Sequence, residues 1–461
     1  MVAVKEPEIS NEESYTALRR DSIAHGWKCG NSWLRENDYG LHEMYLEGSP
    51  YERGYINGLL TQELFKQQED AFVRQLNKLV PSSIYQFFLK VFVAWFNKDL
   101  EDNIPLEYKE EIYGVSKFAS PDYNYIAAPY TRIMNYHAAH DIGHMMQNMN
   151  LVACSSFGLW NNYTPDSNLI IGRNFDFYAG DEFAQEKIIL FIKPDSGYSL
   201  MMVTWGGMTG VTSGMNDQGL TVTLNAAPSI LPSGTAAPVT IIAREILQHA
   251  ATIDEAYAIA CRYKSFVSES FMIGSANDNR AVIIEKTTDT TVLYSTEKDP
   301  KILCTNHFQS DAFWNEPVNQ QQMADNPTLP RMNRLQQLLT EKKQYTETDV
   351  ADVLRNRQGM NGMDVGMSNE YVLNQLVAHH AIIFSPKKRM VWVSSNPYQL
   401  GAFVVYDLNK IFSKEHHVLE QPYAYEPALT IAADSFLYSK DYQKYVFYKK
   451  IAQQLKESDY K

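Results

Sequence analysis

The spacing of apolar and polar positions changes close to residue 150. Before it, apolar residues recur mostly three and four positions apart, the spacing of helices that bury one face. After it, apolar and polar residues alternate with a period of two, which is typical of half-buried strands. The chain is therefore predicted to begin with a helix-rich piece and to continue as a strand-rich core.

Each stretch with a clear period is assigned an element. Helices are predicted over 60–79, 84–96, 106–118, 130–149, 240–248, 253–262, 331–339 and 435–460. Strands are predicted over 152–160, 169–177, 187–192, 198–205, 220–225, 270–273, 281–285, 291–294, 302–306, 381–384, 390–394 and 403–408. Hairpins with helices inserted in pairs predict stacked sheets with helices outside, an α+β layered architecture.

The longest apolar stretch covers residues 84–96 and is interrupted by Lys90. It is too short to cross a hydrocarbon core of ~30 Å, so we predict an amphipathic helix that faces the protein core. A helix that touches lipid or lines an acyl-chain site remains the alternative.

Composition and charge exclude several classes of protein. With 461 residues, of which 45% are hydrophobic and 21% charged, the chain has ordinary globular usage and is neither disordered nor fibrous. The net charge is −13 and no basic stripe occurs, so we expect no nucleic-acid partner. Four dispersed cysteines without a CxxC pair argue against a disulfide framework or a zinc knuckle.

The compartment stays open. The first residues lack the apolar core of a secretory leader, so the protein is either cytoplasmic or exported with its leader removed. The oligomeric state is equally open.

Candidate chemistry begins at Cys154, where the two patterns meet. A lone cysteine on a strand is normally a small buried hydrophobe. Here, however, the short residues Val152 and Ala153 precede it, and the predicted hairpin brings Arg173 and Asp176 back beside it. Neighbouring strands lie ~4.8 Å apart, so such side chains can meet. Because Arg173 and Asp176 are three positions apart, they face opposite sides unless the strand ends or bulges between them.

Several segments, in this order along the chain, resemble the N-terminal nucleophile hydrolases that cleave linear amides. The resemblance is to the isopenicillin-N acyltransferase-like branch, with acid ceramidase and choloylglycine hydrolase as more distant relatives. It rests on GSPYERGYING (48–58), ACSSFGLW around Cys154, GRNFDF (172–177), SGMNDQGLTVTLN (213–225), CTNHF (304–308), PRMNRLQQLL (330–339), VWVSSNP (391–397) and FVVYDL (403–408). The resemblance implies a four-layer αββα sandwich of antiparallel sheets.

The same resemblance implies a zymogen that cuts its own Ala153–Cys154 bond. The two products, residues 1–153 and 154–461, are expected to stay associated. There is a physical reason for such a cut. A nucleophile needs a base that works near neutral pH, and an α-amino group with a pKa of ~7.7–8.0 suits this better than a lysine at ~10.4. Cleavage gives Cys154 its own α-amine.

The resemblance also implies a role for each matching residue. Cys154 would be the nucleophile, Arg173 would lower the pKa of its thiol, and Asp176 would hold the α-ammonium. Asn306 would orient the amine and, with Asn225, donate hydrogen bonds to the tetrahedral oxyanion. The family's second arginine matches Arg331, although Arg334 one turn later could take that place.

Each of these residues could instead have a role in the structure and none in catalysis. Arg173 and Asp176 could form a surface pair, Asn225 could cap a hairpin turn, and Arg331 could be a solvated helix charge.

A rival set of residues is His137, His140 and His144 with Asp141, which share one face of the predicted helix 130–149. Three such histidines could hold zinc, but no HExxH glutamate and no fourth ligand accompany them. We therefore expect no metal, and a polar network where the helical piece packs on the core. The loop 206–210 lacks the lysine of a phosphate loop, and no cofactor is expected; in the family's layout it would border the substrate pocket.

The expected function is that of a self-processing cysteine amidohydrolase that cleaves a linear, non-peptide amide through a thioester. Acyl transfer to another amine is the nearest alternative, and a catalytically silent binding protein on the same scaffold is the alternative of another class. The partner would be a small N-acyl amide such as an N-acyl amino acid, an N-acyl ethanolamide, a ceramide-like lipid, a bile-salt conjugate or a penicillin. Candidate residues for an acyl pocket are Phe157, Trp160, Phe175, Phe177, Met201, Met202, Trp205 and Met208.

Overall fold

The computed structural model describes residues 4–79, 100–137, 152–177, 181–228, 236–296, 298–413, 418–421 and 423–458. The predicted helix 84–96 and the part of the predicted helix 130–149 beyond His137 lie outside these residues. No helix among the described residues is both long and apolar enough to cross a bilayer.

The larger sheet has eleven strands in the described chain, and they follow one another in chain order. They are β1 (Asp21–Ile23), β2 (Gly26–Cys29), β3 (Ser32–Glu36), β4 (His42–Gly48), β7 (Ile188–Pro194), β8 (Leu200–Thr204), β9 (Ser213–Asn216), β10 (Leu220–Ala226), β11 (Glu269–Ser275), β12 (Arg280–Lys286) and β13 (Thr291–Tyr294). Neighbours are antiparallel except β4 and β7, which run parallel.

The smaller sheet has six strands among the described residues, all antiparallel, in the order β14-β5-β6-β15-β16-β17. Their bounds are β5 (Val152–Leu159), β6 (Ile170–Phe177), β14 (Lys301–Cys304), β15 (His380–Ser385), β16 (Met390–Ser394) and β17 (Phe403–Asp407).

The α-helices of the described residues are α1 (Glu12–Tyr15), α2 (Pro50–Leu60), α3 (Gln62–Leu79), α4 (Leu106–Ser116), α5 (Pro129–His137), α6 (Asp181–Gln185), α7 (Val239–His249), α8 (Ile253–Arg262), α9 (Pro317–Asp325), α10 (Thr328–Leu338), α11 (Glu347–Leu354), α12 (Leu408–Ile411) and α13 (Lys440–Ser458).

Three apolar clusters separate the layers. One joins the larger sheet to α2, α7 and α8, and includes Leu190 and Ile246. A second fills the space between the two sheets, where Met272 of β11 and Ile382 of β15 belong to the same cluster. The third joins the smaller sheet to α10 and α11. The layers are therefore helices, sheet, sheet and helices, and the predicted αββα class is confirmed, with one parallel strand pair.

The first piece also contains strands that were not predicted from the sequence. Residues 21–48 form β1 to β4, which extend the larger sheet. These strands were missed because they are short or rich in polar residues, so no apolar run marks them. Strand β9 and the helices α9 and α11 were missed as well. The predicted hairpin at 152–177 and the other predicted strands of the core agree closely with the observed strand bounds.

The first piece contributes strands to the larger sheet of the core. Strand β4 pairs with β7 over seven residues, from His42 opposite Ile188 to Gly48 opposite Pro194. Helices α2 and α4 pack backbone to backbone, since a Cβ on Gly54 would lie 1.9 Å from the carbonyl oxygen of Glu111. The backbone hydrogen bonds between β4 and β7 therefore join residues on the two sides of position 154.

A buried ion network strengthens this junction. The Arg53 guanidinium is fully buried and donates to Glu107 at 2.8 Å and to Glu111 at 3.1 Å. Arg244 of α7, on the other side of position 154, donates to the same Glu111 at 3.4 Å. Removing one partner of a buried ion pair leaves a desolvated charge, which is costly.

We predict that Arg53→Met lowers the free energy of unfolding by about 3 kcal/mol, because Glu111 then keeps only Arg244. Urea unfolding of the full chain measures this. The control is Lys66→Met, whose ammonium is half-exposed beside Asp70 and Asp122, and we expect it to cost less than about 1 kcal/mol. Equal losses in the two variants would contradict the importance of the buried network.

Candidate active site

Cys154 lies near the start of β5 and is almost completely buried. It pairs with Phe175 of β6. Because side chains alternate along a strand, Cys154 and Ser156 face the larger sheet, whereas Phe157 faces the outer helices, as its apolar cluster shows. The thiol is therefore enclosed between the two sheets.

Arg173 of β6 faces the same side as the thiol. Its Nη2 lies 3.6 Å from the Cys154 Sγ and also donates to the carbonyl oxygen of Leu224. Its Nη1 donates to the Thr212 carbonyl oxygen at 3.2 Å and to the Ser213 hydroxyl. The Phe175 ring lies 4.3 Å from the guanidinium carbon. The cation is thus fixed against the sulfur.

Arg173 lowers the pKa of the Cys154 thiol as expected, but burial raises it by more. Burial raises the pKa of the Cys154 thiol, and the positive charge of Arg173 offsets only part of this. The net pKa lies above the ordinary value for cysteine. In the continuous chain, therefore, the thiol is protonated at neutral pH.

The backbone atoms of residue 154 are held by two other predicted side chains. The Cys154 amide N–H donates to Asn306 Oδ1 at 3.0 Å, and Arg331 Nη1 donates to the Cys154 carbonyl oxygen at 2.6 Å. Arg331 Nη2 also donates to Asn306 Oδ1, at 2.7 Å. The sulfur, nitrogen and oxygen of one residue are therefore each contacted by a different predicted side chain.

The choice between the two arginines of α10 is clear from their contacts. Arg331 is buried and reaches Cys154, so its interpretation as a solvated helix charge was wrong. Arg334 instead donates to Asn356 and Gln337. The second arginine at Cys154 is therefore Arg331.

Asn225 contacts the side chain of Ser156, two residues after Cys154 in β5. It is buried in β10, so its interpretation as the cap of a hairpin turn was wrong. Its Oδ1 accepts a hydrogen bond from Ser156 at 2.7 Å, and its Nδ2 donates to the carbonyl oxygens of Cys304 and Thr305 at 3.3 and 3.4 Å. Its amide is near the site but does not contact Cys154.

Asp176 lies on the other face of β6 from Arg173. The ladder between β5 and β6 is regular, so the three-residue spacing turns the two side chains apart, and both are buried. Their interpretation as a surface pair was wrong. Asp176 pairs with Ala153, the residue before Cys154. Among the described residues its carboxylate has no hydrogen-bond partner, and the nearby Gln399 amide does not reach hydrogen-bond geometry.

Burial raises the pKa of Asp176 to about 7, and the charges of Arg331 and Arg173 offset part of this rise. The carboxyl is therefore poised between its charged and neutral forms at neutral pH. A cation placed near it would favour the charged form.

An aromatic crevice continues from the site towards the first piece. Phe175 stacks on Phe177, whose ring lies 5.4 Å from Phe183, and Phe183 lies 5.1 Å from Trp205. Phe177, Phe183, Trp205 and the loop 206–208 form one wall, and side chains of α3 and α5 form the other. The volume is about 40 Å³, far below the ~300 Å³ of a small-ligand pocket.

The candidate acyl-pocket residues divide into two groups. Phe177, Trp205 and Met208 line the crevice. The others lie in the packed interior: Phe157, Trp160, Met201 and Met202 belong to apolar clusters, and Phe175 lies under Arg173.

His137, from the rival set, makes hydrogen bonds to two backbone groups of the protein. Its Nδ1 contacts the Ile133 carbonyl oxygen at 2.8 Å, and its Nε2 accepts the Thr209 backbone N–H at 2.9 Å. Burial lowers its pKa to about 4, so the ring is neutral and both nitrogens are occupied. His140, Asp141 and His144 lie outside the described residues, and the residues that the structure describes hold no cluster of metal-ligating side chains.

Three buried polar side chains at the site were not anticipated from the sequence. The Thr328 hydroxyl accepts the Asn306 backbone N–H at 2.9 Å, and Ser213 and His380 form a hydrogen-bonded pair behind Arg173. Ser213 and His380 are each the first residue of a strand, and Thr328 is the first residue of α10. Nothing in the sequence indicates which residues they meet.

Comparisons with known proteins give one curated relative and several partly similar structures. An uncharacterized protein of Archaeoglobus fulgidus is 24% identical over 261 residues, which are 54% of this chain and 43% of the archaeal protein. The chain thus spans less than half the length of that relative.

Three solved structures are similar over about half of this chain. A Caenorhabditis elegans ortholog of N-acylethanolamine-hydrolyzing acid amidase is 17% identical, with a TM-score of 0.38 over 51% of this chain and 93% of its own. A mutant conjugated bile acid hydrolase from Clostridium perfringens is 13% identical, with a TM-score of 0.38 over 55% and 93%. Penicillin V acylase from Agrobacterium tumefaciens is 15% identical, with a TM-score of 0.36 over 57% and 89%.

A family model covers the strand-rich core, from the turn after β5 to the end of β16, and confirms the resemblance stated from the sequence. Because this model matches residues 163–396, just over half of the chain, the protein belongs to the acyl-coenzyme A:6-aminopenicillanic acid acyl-transferase family.

Proposed function

We propose that this protein is a self-processing cysteine amidohydrolase that cleaves the C–N bond of a linear, non-peptide N-acyl amide. The observation that supports this proposal is the set of contacts at residue 154. Arg173 reaches its sulfur, Asn306 its nitrogen and Arg331 its oxygen. A cysteine kept only for packing needs no arginine at its sulfur, and here side chains also bind its backbone N–H and carbonyl oxygen.

The first step in this proposal is cleavage of the bond between Ala153 and Cys154. The thiol attacks the Ala153 carbonyl carbon, the C–N bond breaks, and the proton of the thiol passes to the nitrogen of Cys154. Water then hydrolyses the resulting thioester, which returns the thiol and leaves Ala153 with a carboxylate. Residue 154 then has both a thiol and an α-amine.

The surroundings of the new amine suit its charge. Asn306 Oδ1 already accepts the N–H of residue 154. Asp176 lies across the strand pair from Ala153, beside the position that the severed peptide would leave. An α-ammonium there would lower the raised pKa of Asp176, and the carboxylate would hold the ammonium in return.

In turnover, the neutral α-amine would take the proton of the Cys154 thiol, and the thiolate would attack the acyl carbon of the substrate. Arg173 would stabilise the thiolate, since a fixed cation favours it. The protonated amine would then return its proton to the leaving amine, and water would hydrolyse the thioester.

Two amides are the candidate donors to the tetrahedral oxyanion. Asn306 Nδ2 uses one of its hydrogens on the Ala226 carbonyl oxygen at 2.9 Å. Asn225 Nδ2 makes two long hydrogen bonds, at 3.3 and 3.4 Å. These bonds are weak enough for an oxyanion to compete with them.

The crevice lined by Phe177, Trp205 and Met208 supports an apolar acyl group in the substrate. Its volume of about 40 Å³ is too small for such a group. Substrate binding would therefore need the wall formed by α3 to move, which fits a first piece that shields the pocket until the chain is cut. The strand pair β4–β7 would keep the two fragments together afterwards.

Acyl transfer is the second candidate, and the family match favours it. A thioester at Cys154 would pass its acyl group to an amine instead of water. Turnover of N-acyl substrates with and without an added amine separates the two: a new amide shows transfer, and free acid alone shows hydrolysis.

We predict that the wild-type protein consists of two associated polypeptides, 1–153 and 154–461, and that Cys154→Ala is one uncut chain without amidase activity. Denaturing electrophoresis, intact mass and a panel of N-acyl substrates measure this. Cys29→Ala, which replaces another buried cysteine, should be cut and active. An intact, inactive wild-type chain would favour the silent binding protein instead.

We predict that Arg331→Met lowers kcat/KM by at least about 100-fold, because a buried donor at the reacting residue is lost. Arg334→Met, one turn along the same helix, should stay within about threefold of wild type because Arg334 does not contact Cys154. Initial rates on the most active substrate of the panel give both values. If the two variants lose activity equally, the assignment of Arg331 is wrong.

We predict a pH effect of Asp176 in the uncut Cys154→Ala chain. Because the folded pKa of about 7 lies above the ordinary value of 3.8, the contribution of this carboxyl to stability is full below pH 3.8 and is lost as the pH rises through 7. Adding Asp176→Asn should therefore reduce the loss of stability between pH 4.5 and 7.5 by roughly 3 kcal/mol.

Urea unfolding at several pH values measures this difference. Asp325→Asn, which changes an exposed carboxyl, should leave the pH profile unchanged. A profile that Asp176→Asn does not flatten would contradict the raised pKa.

A further inference from the structure

Behind Arg173, a chain of buried hydrogen bonds leads away from the thiol. Arg173 Nη1 contacts the Ser213 hydroxyl, Ser213 Oγ lies 2.8 Å from His380 Nε2, and His380 Nδ1 lies 2.9 Å from His379 Nδ1. All four side chains are shielded from solvent. The proposed mechanism assigns no task to Ser213, His380 or His379.

A guanidinium has only hydrogens to give, so Ser213 Oγ accepts from Arg173. We assign the Ser213 hydrogen to His380 Nε2, since the hydroxyl then both accepts and donates within the chain of hydrogen bonds. A neutral imidazole with Nε2 as acceptor bears its hydrogen on Nδ1, which His380 therefore donates to His379 Nδ1. The chain thus needs both histidines to be neutral.

The surroundings favour neutral rings. Burial lowers the pKa of both histidines, and the positive charges of Arg173 and Lys187 lower it further. The His379 ring is also surrounded by aromatic rings, with Phe183 and Trp205 each at 5.3 Å between centroids. At neutral pH the His380 ring is therefore neutral, and its Nε2 can accept the Ser213 hydroxyl hydrogen.

These contacts bridge the two sheets. Ser213 belongs to β9 of the larger sheet, whereas Arg173 and His380 lie on the neighbouring strands β6 and β15 of the smaller one. Without Ser213, Nη1 would keep only the Thr212 carbonyl oxygen at 3.2 Å, and Nε has no partner among the described residues. Two backbone carbonyl oxygens, those of Thr212 and Leu224, would then be the remaining acceptors of the guanidinium, and Nη2 could turn from the sulfur, which it reaches at 3.6 Å.

We propose that Ser213 and His380 are positioning residues that hold the Arg173 guanidinium against the Cys154 thiol, and that the reactivity of this thiol depends on them. The inference rests on the proposed function in one respect, namely that Cys154 is the nucleophile. It adds two residues from distant parts of the chain to the machinery of the site.

The test is the rate at which iodoacetamide alkylates Cys154 in the purified wild-type protein and its variants, followed from pH 5 to 10 with the modified residue located by peptide mass. In Ser213→Ala we expect alkylation at pH 7 to be about tenfold slower and the midpoint of the profile to rise by about one pH unit. We also expect kcat to fall by a similar factor while KM stays unchanged. Ser213→Thr, which keeps the hydroxyl, should restore both.

The control is Ser385→Ala, a buried serine on the same strand as His380 whose hydroxyl has no hydrogen-bond partner among the described residues. It should alkylate like wild type. The other charged groups that act on the thiol or on the histidines are Asp176, Glu269, Lys187 and, in the cut protein, the proposed α-amine of Cys154. None of them is substituted in any variant, and only variants that intact mass shows to be cut like wild type are compared. A change in the profile therefore reports on Arg173.

A second pair of variants keeps the test decisive if Ser213→Ala does not fold. His380→Gln retains an acceptor for the Ser213 hydroxyl and should stay close to wild type, whereas His380→Leu should behave as described for Ser213→Ala. Wild-type alkylation profiles in both Ser213→Ala and His380→Leu would overturn the proposal. Alkylation needs no amide turnover, so it tests the positioning proposal separately from the proposed function. The proposed function fails in a different case, namely if Cys154→Ala remains an active amidase.

Discussion

Two buried arginines hold residue 154 from opposite faces of one strand. Arg173 reaches the sulfur from the space between the sheets, and Arg331 reaches the carbonyl oxygen from the helical side. Burying two cations is costly unless each finds several acceptors. The carbonyl oxygens of Thr212 and Leu224 serve Arg173, and the side chains of Ser155 and Asn306 serve Arg331. These acceptors serve the Nη atoms of both guanidinium groups, whereas the two Nε atoms have no partner among the described residues.

Under the proposed mechanism, a cut before Cys154 would change the protonation states of the groups around it. In the unbroken chain, burial keeps the thiol protonated and leaves Asp176 poised between its charged and neutral forms at neutral pH, since the nearby arginines offset only part of the desolvation of each group. A new α-ammonium would supply a further cation. The first piece remains part of the larger sheet through β4 and through the network of Arg53 and Glu111, so a cut need not release it.

The sequence predicted the strand-rich core well because most of its strands are apolar runs, which the structure buries along nearly their whole length. The spacing of Arg173 and Asp176 also correctly indicated opposite faces. The strands β1 to β4 were missed because they are short or rich in polar residues. The convergence of Asn306 and Arg331 on Cys154 came from the family resemblance, not from spacing. Ser213 and His380 could not be predicted, because their contacts depend on how two sheets stack, and local periodicity says nothing about that.

The most direct measurement of the central claim is the mass of the heavy fragment when turnover of an N-acyl substrate is stopped with acid. The account predicts a fragment that begins at Cys154 with a free α-amine and carries one acyl group on its sulfur, which hydroxylamine removes. An acyl group on another residue, or an intact chain that turns over substrate, would contradict it.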